Sequence, residues 1–373
     1  MQIQHKSIRR WNNLSALQKT AIVVAGTVQA GLFAAAWLDL SRRQPDQLNG
    51  TQAGWRAVLF LNFIGPLAYF ARGRKQSDWS ETDMPDQSGR VAIVTGANSG
   101  LGYETARALA QHGATVVMAC RNAQKAEAAA TRILATGPLG KVIPMSLDLG
   151  DLDSVRVFAD DFKSRFERLD LLVNNAGIMV PPQGETAQGF ETQFGVNHLG
   201  HFALTAQLID VLNATPDARV VNLSSIAHRF GKIDFDDLNW KERDYKPMPA
   251  YGQSKLANLL FTYELQRRLQ AAGKSTVAVA AHPGYAATGL QGEGGNDGLM
   301  GKLAQTQEMG ALPSMYAATA LGVEGGEFFG PSGLAEIAGH PQLVQSNARS
   351  HDTETARQLW KASEELTGVT FRV

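Results

Sequence analysis

The sequence predicts an α/β fold: a doubly wound parallel sheet preceded by an N-terminal transmembrane helical hairpin. Three observations lead there. Apolar, β-branched runs alternate with stretches at helical spacing from residue 89 onward, and that alternation puts parallel strands under helices on both faces. A glycine-rich turn joins the first strand to the first helix. Two uncharged apolar runs lie before residue 77. The organisation expected is a membrane-anchoring hairpin at 1–76, a polar linker at 77–88 and the α/β domain at 89–373.

Composition narrows the function classes. Basic and acidic residues number 35 each, so no basic footprint for nucleic acid exists and no nucleic-acid partner is expected. The single cysteine, Cys120, excludes an intramolecular disulfide and agrees with a reducing compartment. Metal-binding spacings of the HExxH or CxxC kind are absent. No metal is expected.

In the first segment, residues 20–38 carry no charge and reach about 28 Å as a helix at ~1.5 Å per residue, enough to span a bilayer. A second run, 57–71, reaches only about 22 Å and contains Gly65-Pro66, with Trp55, Arg56, Tyr69 and Arg72 as interface anchors. Lys6, Arg9, Arg10 and Lys19 precede the first run, Arg72, Arg74 and Lys75 follow the second, and Arg42, Arg43 and Arg56 connect them beside Asp39 and Asp46. This distribution favours both ends in the cytoplasm. Two other readings stay open: the first run as a secretory signal, and the second as an interfacial or domain-packing segment. Through Trp11-Asn12-Asn13-Leu14, Trp55 and the sequence from Gly65 to Arg74, the segment resembles the two-helix phospholipase D nuclease N-terminal module, a likeness that implies no lipase chemistry.

The soluble part opens with Val91 to Val94 as a buried strand, then Thr95-Gly96-Ala97-Asn98-Ser99-Gly100-Leu101-Gly102, then a helix over 103–112. Glycines at 96, 100 and 102 let the chain turn sharply and let a pyrophosphate approach bare backbone at a helix N-terminus. Strands are expected at 115–119, 142–146, 171–173 and 219–223, with helices at 123–135, 151–166 and 189–212 between them. Residues 327–331 supply a last strand and 353–366 a final amphipathic helix with Trp360 in its core face. Ligands of such a sheet bind outside the C-terminal strand ends.

Each of those ends holds a usable group. Where an acid after the second strand would hydrogen-bond a ribose hydroxyl, this chain has Cys120-Arg121, which accommodates a 2′-phosphate and favours NADP(H) over NAD(H). Lys125 is a helper one turn on; alternatively Arg121 merely starts a solvated helix. Asp148 and Leu149 are placed to hold the adenine edge, or Asp148 caps the next helix. Asn174-Asn175-Ala176-Gly177 brings small groups to the cofactor after the fourth strand.

The fifth strand ends in Ser224-Ser225, and a later helix carries Tyr251 and Lys255 one turn apart on one face. A free phenol titrates near about 10, too high for a base at neutrality, and a neighbouring ammonium lowers that value. Tyr251 becomes a proton shuttle beside a serine that holds the substrate oxygen.

Taken together, Thr95 to Gly102, Asn174 to Gly177, Asn197, Ser225, Tyr251, Lys255 and His282-Pro283-Gly284 closely resemble the short-chain dehydrogenase/reductase family, over about residues 85–373. The resemblance implies a Rossmann-like sheet, with Gly96, Asn98, Ser99, Gly100, Leu101, Gly102, Arg121, Asp148, Leu149, Asn175, Ala176 and Gly177 binding the cofactor. It implies Tyr251 as general acid/base and Lys255 as the group that lowers its pKa and holds the nicotinamide ribose. Ser225, the second of the pair, positions the substrate, Asn197 supports a proton-relay water, and Pro283, Gly284 and Thr288 line the nicotinamide. The segment Val196 to Phe202, the segment Val221 to His228, the Cys-Arg pair and a long 231–249 insertion resemble the retinol-dehydrogenase-like and protochlorophyllide-reductase-like branch. The insertion must loop out for Ser225 and Tyr251 to meet. His198, His201 and His228 read as packing or polar contacts rather than metal ligands.

Past Thr288, Leu290, Leu299, Met300 and Leu303 in a glycine-rich stretch suit a mobile apolar lid. With the membrane segment, this points to a lipophilic alcohol, aldehyde or ketone as the small-molecule partner. Self-association into a homo-oligomer is left open. A non-catalytic cofactor-binding scaffold on the same fold is the alternative function, and a nucleotide-sugar epimerase is a third reading, against which the glycine spacing argues.

Overall fold

In the computed structural model, residues 14–373 are described apart from 44, 46, 47, 74–77 and 287–303. They form two compact units, 1–76 and 77–373.

In the first unit, helix α1 (Ala16–Arg42) starts at a capping box in which Ser15 and Gln18 satisfy each other's backbone N–H groups. Its apolar side chains point all round, Ile22, Val23, Val24 and Val28 standing exposed. The stretch Ala16–Ser41 is long and apolar enough to cross a membrane. The second apolar run does not form a spanning helix, which corrects the expected hairpin. It breaks into α2 (Gln52–Leu59), α3 (Ile64–Ala68) and a π turn, Tyr69–Gly73. Pro66 has no N–H to continue a helix, and its ring excludes the carbonyl four residues back. Asn62 accordingly takes a left-handed backbone (φ 45°). Gly65 packs so closely that a Cβ there would lie 2.0 Å from the Val58 carbonyl oxygen. Leu59 and Tyr69 bury against Ala36 and Leu40 of α1, and the Tyr69 hydroxyl donates to Asp39 at 2.6 Å. Among the described residues α1 is the only helix both long and apolar enough to span.

In the second unit, strands β1 (Val91–Thr95), β2 (Thr115–Cys120), β3 (Lys141–Ser146), β4 (Leu171–Asn174), β5 (Arg219–Leu223), β6 (Val277–Ala281), β7 (Phe328–Pro331) and β8 (Pro341–Leu343) make one sheet in the order β3-β2-β1-β4-β5-β6-β7-β8. All pairs are parallel except β7 with β8. The antiparallel β8 was not legible in the sequence.

Side chains alternate across the sheet, as strand geometry requires. Ala92, Val94, Val116 and Met118 face one layer, built on helices α4 (Gly100–Gln111), α5 (Ala123–Leu134) and, late in the chain, Gln307–Thr319. Ile93, Val117, Leu172 and Val220 face the other layer, where α6 (Leu152–Arg165), α7 (Gly200–Ala214), α8 (Pro247–Ala271) and the C-terminal helix Thr353–Thr367 pack. There Phe202, Phe261, Trp360 and Phe371 form an aromatic cluster. The expected helix over 189–212 is interrupted: a π turn, Gly195–Leu199, precedes α7. Helix α8 is buried on nearly every side, so its sequence carries no amphipathic stripe.

The 231–249 insertion loops out and holds itself together. Asp237 accepts from the backbone of Lys241 and Arg243, and the Arg243 guanidinium lies 3.6 Å from the centre of the Trp240 ring. Pro247 then opens α8, where its missing N–H costs nothing.

Candidate active site

Strand order reverses between β1 and β4, and a cleft of about 570 Å³ opens at their C-terminal ends. The turn after β1 forms one wall. Gly96 (φ 67°) and Gly100 (φ 59°) take left-handed backbone. A Cβ on Gly102 would lie 2.4 Å from Asn175 Nδ2 and 2.5 Å from the Gly96 carbonyl oxygen. Ser99, at the N-cap of α4, makes no side-chain cap, so the first N–H groups of this helix face the cleft without a side-chain partner. Asn98, Ser99, Leu101 and Gly102 line the cleft with them. Such bare backbone suits a pyrophosphate.

The turn after β4 is fixed to β1. Asn175 donates to the Thr95 carbonyl at 2.8 Å, and the Ala176 N–H donates to the Thr95 hydroxyl at 2.9 Å. Gly177 fits between Asn197 Oδ1 and Lys255 Nζ, which a Cβ would meet at 3.3 and 3.4 Å. Exposed Arg121 and Lys125 lie together at the cleft edge after β2, and Asn122, not Arg121, caps α5. Asp148 and Leu149 line the neighbouring edge. Asp148 accepts from the Gly150 N–H at 2.9 Å, while Asp151 caps α6. The helix-capping alternative for Asp148 therefore falls away.

At the far end stand Tyr251 and Lys255, both lining the cleft and both almost wholly buried. The Ser225 side chain lies near enough to Tyr251 to act on its proton affinity, while its hydroxyl accepts from the Ala227 N–H at 3.2 Å, so the insertion leaves the two side chains as neighbours. The neighbouring Ser224 is spent on structure, its hydroxyl donating to the Lys255 carbonyl at 2.9 Å. Burial pushes the Tyr251 phenol up to about 12, with Ser225 acting against it. The expected lowering by Lys255 is absent in this geometry. The ammonium donates to the Leu223 carbonyl at 3.2 Å, lies 5.6 Å from the centre of the Tyr251 ring, and is itself brought down to about 8 by burial. Pro283 lines the cleft, and Gly284 beside it takes φ 65°. Thr288 and the expected lid at Leu290, Leu299, Met300 and Leu303 lie outside the described residues.

Asn197 sits behind this surface, within the π turn. Its side chain accepts from the Ile178 N–H (2.9 Å) and donates to the Ile178 carbonyl (3.0 Å) and to Ser254 (3.0 Å). Its carbonyl accepts from His201 Nδ1 at 3.0 Å, since a carbonyl cannot donate. The Thr95 hydroxyl then donates to His201 Nε2 at 2.9 Å. His201 is neutral as well as buried, burial bringing it down to about 4. One imidazole thus joins the cofactor strand to the π turn. Histidine type and spacing alone gave no sign of this, because Thr95 is 106 positions away. His198 packs between Phe194 and Phe202 and bonds Ser363.

Comparison with known proteins agrees with this geometry. The family described as short chain dehydrogenase matches residues 90–297. Retinol dehydrogenase 13 of Homo sapiens is 44% identical over 293 residues, covering 75% of this chain and 85% of the relative. A crystal structure of an uncharacterised protein from Mycobacterium paratuberculosis is 46% identical with a TM-score of 0.69, covering 80% of this chain and 100% of that one. RhlG of Pseudomonas aeruginosa, solved as an NADP active-site complex, is 25% identical with a TM-score of 0.54, covering 65% of this chain and 96% of that one. With a family match over more than half its length and a curated relative this similar, the chain belongs to the short-chain dehydrogenase family.

Proposed function

We propose that the chain is a membrane-anchored, NADP(H)-dependent oxidoreductase that interconverts a lipophilic alcohol and its aldehyde or ketone, retinoids being the first candidates because curated relatives are retinol dehydrogenases. The observation that carries the reading is the buried pair Tyr251 and Lys255 at the end of a glycine-walled cleft, with Ser225 next to the phenol.

Bare backbone at Gly96, Gly100 and Gly102 would hold the pyrophosphate, and Arg121 with Lys125 would pair with a 2′-phosphate. Asp148 and Leu149 would flank the adenine, while Asn175, Ala176, Gly177, Pro283, Gly284 and Thr288 would bound the ring-bearing half. When bound, the nicotinamide gives a hydride to the substrate carbon or takes one from it. The protein's part is the oxygen. Ser225 and Tyr251 grip it from two sides, and the phenol, held protonated by burial, donates its proton as the carbonyl is reduced. Alcohol oxidation asks the same side chain to accept a proton as the phenolate, a form stabilised by turning the Lys255 ammonium from Leu223 toward Tyr251. Asn197, through Ile178, keeps the turn after Gly177 in place behind the lysine.

Helix α1 anchors this chemistry in a membrane. Arg42, Arg43, Arg56, Arg72, Arg74 and Lys75 follow the span, against Lys6, Arg9, Arg10 and Lys19 before its apolar part. That balance supports the catalytic unit on the cytoplasmic side, where NADP(H) is available.

The test is a panel of retinal, nonanal, a steroid ketone and glyceraldehyde, offered to detergent-solubilised full-length protein with NADPH or NADH. The reading expects NADPH-dependent turnover of the lipophilic compounds. Turnover of glyceraldehyde alone, or a strong preference for NADH, overturns the corresponding part.

A further inference from the structure

Two turns follow the strands that end at the reactive part of the cleft. One is Ile226–Phe230, capped by Ser225; the other is Pro283-Gly284 after β6. They belong to different strands, and the oxygen-holding group and the nicotinamide wall are set by separate pieces of chain. One carboxylate touches both.

Glu336 lies on the short turn Leu334–Glu336, between β7 and β8. Its Oε2 is 3.0 Å from His282 Nε2, and its Oε1 is 2.8 Å from Arg229 Nη2. His282 is fully buried, and its Nδ1 accepts from the Gly284 N–H at 3.2 Å. Its proton therefore sits on Nε2 and is donated to the carboxylate. Arg229 sits on the serine's own turn, one residue past His228, whose Nδ1 donates to the Ser225 carbonyl at 2.6 Å. The carboxylate is strongly held: burial would raise its pKa, but the His282 hydrogen bond and the charge of Arg229 keep it below its usual value.

The backbone around Glu336 is built for this placement. Ala335 and Glu336 both take left-handed backbone, φ 53° and 60°, which side chains other than glycine adopt at a cost. The Tyr285 N–H donates to the Ile337 carbonyl at 2.7 Å. Gly284 packs so near that a Cβ would lie 2.3 Å from that same oxygen. Gly330 leaves the room that the His282 ring fills, since a Cβ there would meet Nε2 at 2.1 Å.

We propose that Glu336 is a positioning residue that ties the Ser225 turn to the Pro283-Gly284 turn, fixing where the substrate oxygen is held relative to the nicotinamide wall. The inference rests on the proposed hydride-transfer reading of this site and adds a residue to it. The side chain does not line the cleft, so it acts through Arg229 and His282 and not on substrate.

The experiment compares wild-type, Glu336→Gln, Arg229→Met and Tyr251→Phe full-length proteins in detergent, with NADPH and whichever of retinal or nonanal the wild type turns over faster. Cofactor affinity and stoichiometry are read by fluorescence titration, separately from turnover. Glutamine keeps the size of the carboxylate but cannot accept charge-assisted bonds from both partners. For Glu336→Gln the expected result is kcat lowered by about tenfold or more, the scale on which misplaced reacting groups act, with NADPH bound at full stoichiometry and Kd within about twofold of wild type. Arg229→Met reproduces this loss in part. Turnover of both variants within about twofold of wild type overturns the proposal, as does a kcat that falls only in step with the fraction of protein binding NADPH. An inactive Tyr251→Phe alongside an unimpaired Glu336→Gln rejects the brace alone. A fully active Tyr251→Phe rejects the underlying reading of the site, and the brace with it.

Discussion

Tyr251 and Lys255 are both buried, and burial moves their proton affinities in opposite directions: a neutral phenol is favoured, and the ammonium becomes easier to lose. This gives a pH prediction with a definite sign. kcat/KM for alcohol oxidation, the direction that calls on the Lys255 ammonium, should decline as pH rises through about 8, where Lys255 loses its charge; a Lys255→Met variant should lack that inflection. Stability moves the other way. The lysine's ordinary value is 10.5, so the unfolded chain binds more protons than the folded one between there and about 8, and this group's contribution to stability rises over that window. An activity loss above pH 8 accompanied by a falling melting temperature would instead mean unfolding. At the other end of the cleft, Arg121→Asp should lower kcat/KM with NADPH by about 10- to 100-fold, the scale of a charge-assisted hydrogen bond at ~1.5–3 kcal/mol, while NADH use is spared. Steady-state kinetics with both cofactors check it. These residues were legible because glycine spacing, a Tyr and Lys one turn apart, and a base after the second strand are local patterns. His201 and Glu336 were not. Each acts through partners far along the chain, such as the 54 positions between His282 and Glu336, and no local period records such a pairing.

At the scale of elements, the strand-turn-helix unit decides whether a cofactor can bind at all. Gly102 is the sharpest test, because an added methyl would collide with both Asn175 and the Gly96 carbonyl. Neither is the free end of a flexible side chain: Asn175 is tied to the Thr95 carbonyl. Gly102→Ala should cost ~1–3 kcal/mol of stability, as overpacking does, and weaken cofactor binding by about tenfold, read by thermal unfolding with and without NADPH. Most strands and helices could be placed from periodicity. The failures have physical causes. Residues 57–71 are apolar enough to suggest a span, but Gly65-Pro66 and the left-handed Asn62 fold them back into short helices. The run over 189–212 reads as one helix because a π turn changes hydrogen-bond register without changing composition. The short β8 has too few residues to show an alternation.

The whole molecule joins an apolar helix to a catalytic unit, and each part predicts a distinct behaviour. Full-length protein should sediment with membranes, resist extraction by high salt and enter solution with detergent, since α1 presents apolar side chains all round. A chain starting at Ser77 should bind NADPH without detergent, because the sheet and its two helical layers lie within the second unit. Fractionation followed by cofactor titration checks both; salt extraction of the full chain would argue against a spanning helix. The central claim is that Tyr251 moves the proton while a nicotinamide moves the hydride to a lipophilic carbonyl. It is tested most directly by following the absorbance of NADPH as solubilised full-length protein and its Tyr251→Phe variant act on retinal. The account predicts one NADPH consumed per alcohol formed by the wild type, and a rate lower by about 10²- to 10⁴-fold in a variant that still binds NADPH. Equal rates for the two proteins would contradict it.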